Sequence, residues 1–177
     1  MRRTLFPSAI VLVGVVALVV IGAAGGAQAK KPSLSATPVF KLHLKPSQEV
    51  PPIKGLKAKA VGSVTFDLER SSTGSIVSGD AIFYFNYKFP GSVTISGLHV
   101  HQAAKGVAGD IVISSDVATF TDADGQGNIT AVKTGTSAII LQAILNNPRN
   151  YYVNLHTTTP PHPGGALRDQ MHNPKKG

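Results

Sequence analysis

Residues 39–45 read Val-Phe-Lys-Leu-His-Leu-Lys, with Phe40, Leu42 and Leu44 on one side and Lys41, His43 and Lys45 on the other. Strict alternation of this kind predicts a half-buried strand, because successive side chains leave a pleated backbone on opposite faces. It sends His43 to solvent. The alternation returns over 60–69 through Val64, Phe66 and Leu68, and 80–89 is a β-prone run of Phe83, Tyr84, Phe85, Tyr87 and Phe89 closed by Pro90-Gly91. Residues 92–101 form the next strand, in which the apolar phase moves from odd to even positions across Gly97. A glycine at a phase change predicts a bulge. Between the first two strands, Gln48-Glu49-Val50-Pro51-Pro52 is an extended turn, since neither proline can donate to a ladder. Short strands at this spacing predict an all-β protein, an antiparallel β-sandwich.

One stretch breaks the period. Residues 136–145, Thr-Ser-Ala-Ile-Ile-Leu-Gln-Ala-Ile-Leu, have a hydroxyl cap, good helix formers and an Asn-Asn-Pro stop, which predicts one short and largely buried helix. A buried strand is the alternative for so apolar a run. Strands are then predicted at 150–156 and, as a final edge, at 166–172. The domain so defined spans 39–173, between a Ser/Pro-rich linker at 30–38 and a flexible tail at 174–177.

The first 29 residues stand outside this pattern. Arg2 and Arg3 precede an apolar run over 9–24, and Ala27-Gln28-Ala29 suits signal peptidase, so a secretory signal cleaved after Ala29 is predicted. The run is near spanning length, which makes a retained anchor the alternative. Cleavage leaves no transmembrane span and implies a secreted, periplasmic or cell-envelope protein. The chain has no cysteine, so neither a lipid anchor nor a disulfide framework is available, and the fold must rest on its apolar core alone.

The chain carries a formal charge of +8, and removal of the signal leaves about +6. Lysines 30, 31, 41, 45, 54, 57 and 59 crowd the N-terminal part. Scattered solvated lysines explain this most simply, with a polyanionic envelope or extracellular ligand as the other reading. No recognition motif accompanies the charge, so nucleic acid is not an expected partner.

Most catalytic templates are missing. There is no Cys nucleophile, no His-Glu-x-x-His, no Gly-x-Ser-x-Gly and no phosphate loop, so an enzyme is not expected. Histidine is what remains. His99 and His101 flank one valine, so on a strand both imidazoles share a face while Leu98 and Val100 take the other. His156 ends a later strand, and His162 sits in the loop Pro160-Pro161-His162-Pro163-Gly164-Gly165. These four are the candidate metal ligands, for copper or zinc, because borderline divalent metals suit imidazole. Their alternative role is to hydrogen-bond backbone carbonyls and pin loops. Asp122-Ala-Asp-Gly-Gln-Gly-Asn128 resembles a calcium loop, but its glycine falls too early and Lys133 stands where the closing Glu belongs, so a hairpin turn is predicted. Arg168-Asp169 marks a protected edge strand, or else Arg168 ties the final strand to the histidine loop.

Three blocks resemble the chordin-type CHRD domain family. They are Gln48-Glu49-Val50-Pro51-Pro52, then Ser96-Gly97-Leu98-His99-Val100-His101, then Tyr152-Val153-Asn154-Leu155-His156-Thr157 with Pro163-Gly164-Gly165-Ala166-Leu167-Arg168-Asp169-Gln170. The likeness covers about 40–172. Gln102, Ala166 and Asp169 depart from the glycine, glutamate and glycine usual there. The resemblance implies an extracellular sandwich, Greek-key-like and similar to immunoglobulin or Cu/Zn superoxide dismutase domains. The Gly-Leu-His-Val-His segment is also similar to the copper-ligand strand of Cu/Zn superoxide dismutase. Two functions follow: a non-catalytic exported binding or structural module, or a copper or zinc protein. Convergence of His99, His101 and His156 or His162 on one point separates them.

Overall fold

A computed structural model describes residues 37–176. The predicted signal at 1–29 and most of the linker lie outside the described residues. Among the described residues, ten strands form two antiparallel sheets. The first contains β10 (Lys175–Lys176), β1 (Pro38–Leu44), β2 (Lys59–Arg70), β3 (Ile76–Lys88) and β7 (Gln126–Ser137), in that order. The second contains β5 (Asp110–Ser114), β4 (Val93–Gln102), β8 (Tyr151–Thr159) and β9 (His162–Gln170), with β6 (Phe120–Asp122) also on β4. Lys175–Lys176, expected in the tail, pairs with Val39 and Pro38.

The two sheets share one core, and alternation built it. Phe40, Leu42 and Leu44 of β1, Val64 and Phe66 of β2 and Phe83 and Phe85 of β3 meet Ile95, Leu98 and Val100 of β4 and Val153 and Leu155 of β8, all fully buried. Phe40 and Phe66 pack edge to face, centroids 5.3 Å apart. Each such side chain contributes about 1.5–3 kcal/mol by leaving water, which a cysteine-free domain needs. His43 is exposed, as the alternation requires.

The phase change at Gly97 is a real irregularity. Pairing of β4 with β8 shifts between Ile95 and Gly97, so the core face passes from Ile95 to Leu98. The helix α1 spans Ala138–Asn146, with the Ser137 hydroxyl accepting from the Ile139 N–H. It buries Leu141 and Ile144 but leaves Ile139 81% exposed, so it lies on the core rather than largely within it. The turn at 122–126 is no hairpin. It carries the chain from β6 in one sheet to β7 in the other, with Asp122 Oδ1 accepting from the backbone N–H groups of Asp124 and Gly125. The loop expected at 160–165 is shorter than predicted, and β9 already begins at His162.

Candidate metal centre

The middle of the second sheet, β8 above all, is buried on both sides, which decides where its chemistry lies. Every residue of β8 from Tyr151 to Thr157 is buried. Val153 and Leu155 face the core, so Tyr152, Asn154 and His156 occupy the outer face. Cross-strand register sets Gly97 opposite His156, His99 opposite Asn154, and His101 opposite Tyr152. On the other side of β8, Asn154 faces Arg168 and Tyr152 faces Gln170. An outer face of imidazoles, amides, a phenol and a guanidinium results.

Three of the four predicted ligands converge on it. Ring nitrogens of His99, His101 and His156 lie within 4.8 Å of one another, the group among the described residues suited to hold a metal ion. The proximity of the His-x-His strand to His156, which the metal reading requires, is present. His162 stands at the start of β9 opposite Thr157, outside the cluster. What the Pro/Gly segment delivers instead is a carbonyl, because Pro163 O accepts from His156 Nδ1 at 2.9 Å.

The hydrogen bonds fix the tautomers. A carbonyl only accepts, so His156 Nδ1 carries the proton, as does His101 Nδ1, 2.9 Å from Gly109 O. In the neutral rings both Nε2 atoms are then bare lone pairs, and they face each other at 3.3 Å. Lone pairs so opposed call for a cation between them. Burial pushes the proton affinity of all three imidazoles down, and His99, further opposed by charge on His156 and His101, is held at about 4. Arg168 adds to the opposition at His101. A proton is therefore the less favoured occupant, and neutral imidazole is the metal-binding form.

Close approach shapes each ring's seat. A Cβ at Gly97 would stand 2.6 Å from His99 Cε1, so only glycine lets that ring lie back toward His156, whose centroid is 4.8 Å away. Likewise a Cβ at Gly109 would collide with the Gln102 carbonyl, and Gly109 is the residue whose N–H donates to Tyr152 Oη at 3.2 Å while its carbonyl holds His101. The Tyr152 ring stacks on His101 (4.8 Å, 10°), and the Arg168 guanidinium lies 3.5 Å over the same phenol.

Arg168 is no edge charge. It is 2% exposed, and its Nη2 donates to Ala104 O (3.3 Å), Val107 O (2.9 Å) and Gln170 Oε1 (3.4 Å). It thus ties the segment that follows His101 to the final strand, with Gln170 Nε2 adding bonds to Ala103 O and Arg149 O at 2.8 Å each. Asp169 reaches across to the other sheet, accepting from His43 N at 2.7 Å. Glu49, from the Gln-Glu-Val-Pro-Pro block, is buried beside this layer. Its carboxyl accepts from Asn154 Nδ2 at 3.4 Å, and burial, outweighing the Arg168 charge, lifts its pKa to about 7. Tyr152, Asn154, Arg168 and Glu49 all fall in the blocks that carry the family likeness, but sequence names none of them as a site residue, although the spacing Tyr152-Val-Asn154-Leu-His156 repeats the two-residue period of His99-Val-His101.

Three buried side-chain atoms have no hydrogen-bond partner among the described residues, namely His99 Nδ1, Asn154 Oδ1 and Glu49 Oε1. All belong to this one layer. Such atoms are costly to bury and rarely left bare.

The CHRD domain family model matches residues 40–171. No curated protein and no solved structure matches the chain.

Proposed function

The chain belongs to the CHRD domain family, and from that premise we propose that it is an exported, non-catalytic module that binds one zinc or copper ion through His99, His101 and His156. The observation that carries this is the pair of Nε2 atoms 3.3 Å apart on two rings whose Nδ1 atoms each face a backbone carbonyl. With metal–nitrogen bonds of about 2.05 Å, that base subtends about 107° at the ion, close to the tetrahedral angle. A square-planar Cu(II) site would want a right angle and a nitrogen separation of about 2.9 Å. The spacing therefore favours Zn(II), or copper in a tetrahedral site. The His99 ring closes the rest, about 1.5 Å at most, by rotating toward the other two.

The donor set is three neutral imidazoles with no carboxylate, and His99 is only half-buried. A fourth position is left for water or an anion from solution. A binding role is supported by the engagement of Asp116, the carboxylate whose charge reaches His99, with Lys133 Nζ at 2.7 Å. Export rests on the sequence pattern of residues 1–29. No helix among the described residues is long and apolar enough to cross a membrane.

The test is metal content and thermal melting of tag-free protein. One equivalent of zinc or copper per chain is expected, and metal at a hundredfold above Kd raises stability by about 2.7 kcal/mol, or Tm by roughly 5–10 °C. His101→Ala and His156→Ala abolish the shift. A wild-type Tm indifferent to both metals overturns the reading.

A further inference from the structure

The orphaned atoms of the polar layer are chemically complementary. His99 Nδ1 is able to donate, and Asn154 Oδ1 is able only to accept. Their residues are direct cross-strand partners on one face, where Cβ atoms stand about 4.5–5.5 Å apart. We propose that Asn154 is the positioning residue of the metal centre: its Oδ1 accepts from His99 Nδ1–H in the metal-bound protein, turning His99 Nε2 onto the ion. The proposal rests on the three-imidazole reading above and names the group that completes it.

Three further observations point the same way. The Asn154 amide is held on one side only, because its Nδ2 faces two acceptors, Glu49 Oε2 at 3.4 Å and Gly164 O at 3.5 Å, while Oδ1 is buried without a donor. It is also boxed in, since a Cβ at Gly165 would run into the amide group. On the histidine side, a Cβ at Gly97 would stand 2.9 Å from Nε2 but 3.5 Å from Nδ1. The Nε2 edge of the ring thus leans toward Gly97, the partner of His156, and Nδ1 is the nitrogen left buried. His99 then matches its two companions. Each imidazole gives Nδ1–H to an oxygen (Gly109 O, Pro163 O, Asn154 Oδ1) and Nε2 to the ion. Such an acceptor behind a ligand fixes the tautomer and raises the basicity of the coordinating nitrogen.

The experiment uses zinc itself as the probe. Long-range nitrogen–proton NMR on the zinc-loaded wild type reads the tautomer of each ring, and His99 is expected to be protonated at Nδ1 and bound through Nε2. In chelator competition, Asn154→Leu is expected to lose about 10–100-fold in zinc affinity, while Asn154→Asp, which keeps the acceptor, binds at least as tightly as wild type. A merely structural role for Asn154 would lower the melting temperature of both variants without this split. Zinc bound through His99 Nδ1, or equal affinity for the leucine and aspartate variants, overturns the proposal and leaves the three-imidazole site standing. A wild type that takes up no zinc or copper removes the site itself. Should the leucine variant fail to fold, the wild-type tautomer and the aspartate variant still decide.

Discussion

The two sheets share a core and treat their outer faces in opposite ways. On the β1-β2-β3-β7 sheet that face is open: Lys41 and His43 are exposed, Tyr84 is 46% exposed and Val132 51%. On the β4-β8-β9 sheet the equivalent face is polar yet closed, with Asn154 and Arg168 each 2% exposed beneath the Glu49 segment and the chain after His101. Water solvates the first face and demands little of it. The second must satisfy its own polar atoms, so its side chains are bound to named carbonyls, and the few left unsatisfied cluster where the imidazoles meet. Polar groups hidden from water on one side only are there either to hold structure or to receive something, and opposed Nε2 lone pairs do not hold structure.

The largest effect that probes this contrast is removal of Arg168. Arg168→Ala strips Ala104 O and Val107 O of their donor and removes the cation whose charge acts on Glu49. Breaking a buried charge network costs about 3–5 kcal/mol. With a urea m-value of about 2 kcal/mol/M, the denaturation midpoint falls by roughly 2 M. A shift no larger than that of a surface lysine variant would mean the layer is less closed than the contacts imply.

Next in size is Gly97→Ala. The new methyl group takes the place of the His99 ring edge, so the ring must leave. Overpacking of this kind costs about 1–3 kcal/mol. Zinc affinity, read by chelator competition, falls more than the loss of stability explains, because one of three ligands is displaced.

The closed face also titrates, and in two directions. His99 has a folded pKa of about 4, below its ordinary value, so the unfolded chain binds the proton better. Metal-free protein therefore loses stability as pH falls from about 6.5 toward 4. Glu49 works the other way. Its folded pKa of about 7 exceeds the unfolded value, so its contribution is full below about 4.5 and is lost as pH rises through 7. Glu49→Gln should then stabilise the metal-free protein at pH 8 by on the order of 1–3 kcal/mol and leave it unchanged at pH 4. Urea melts of both proteins across that range check it. Equal curves at pH 8 would show that Glu49 ionises without cost and is wet.

This asymmetry explains what the chain disclosed of itself. Where one face meets water, hydrophobicity alternates, and β1 and β2 could be read directly; in β4 the histidines stand in the polar phase of the same alternation, which made that strand and the bulge at Gly97 legible too. The β8 strand alternates apolar with buried polar residues, so sequence showed its strand character and His156 but not that Tyr152 and Asn154 are equally enclosed. For Arg168 the sequence leaves two readings, an edge charge or a tie between the final strand and the histidine loop, since charged residues are almost never fully buried unless paired; the structure has it tie the final strand to the segment after His101. Its partners are carbonyls of a segment 61 and 64 residues earlier, a pairing no local pattern carries. His162 was grouped with the others by its Pro/Gly surroundings, and the hairpin register placed it opposite Thr157 instead.

The smallest expected effect is the control that gives the contrast its meaning. Lys41→Ala and Val132→Thr change the outer face of the open sheet, where both side chains are exposed and only the backbone takes part in strand pairing. Surface substitutions away from caps, charges networks and core stay within about 0.5 kcal/mol. Both variants should therefore melt with wild type and bind zinc with unchanged affinity, since no imidazole lies on their sheet face except exposed His43. A loss of stability above 1.5 kcal/mol in either would mean that the open face is covered in solution. In that case concentration-dependent melting would follow, because a partner copy or ligand that protects the folded state moves Tm by mass action. Concentration-independent, wild-type-like melting leaves the closed polar layer as the part of the molecule to which its chemistry is confined.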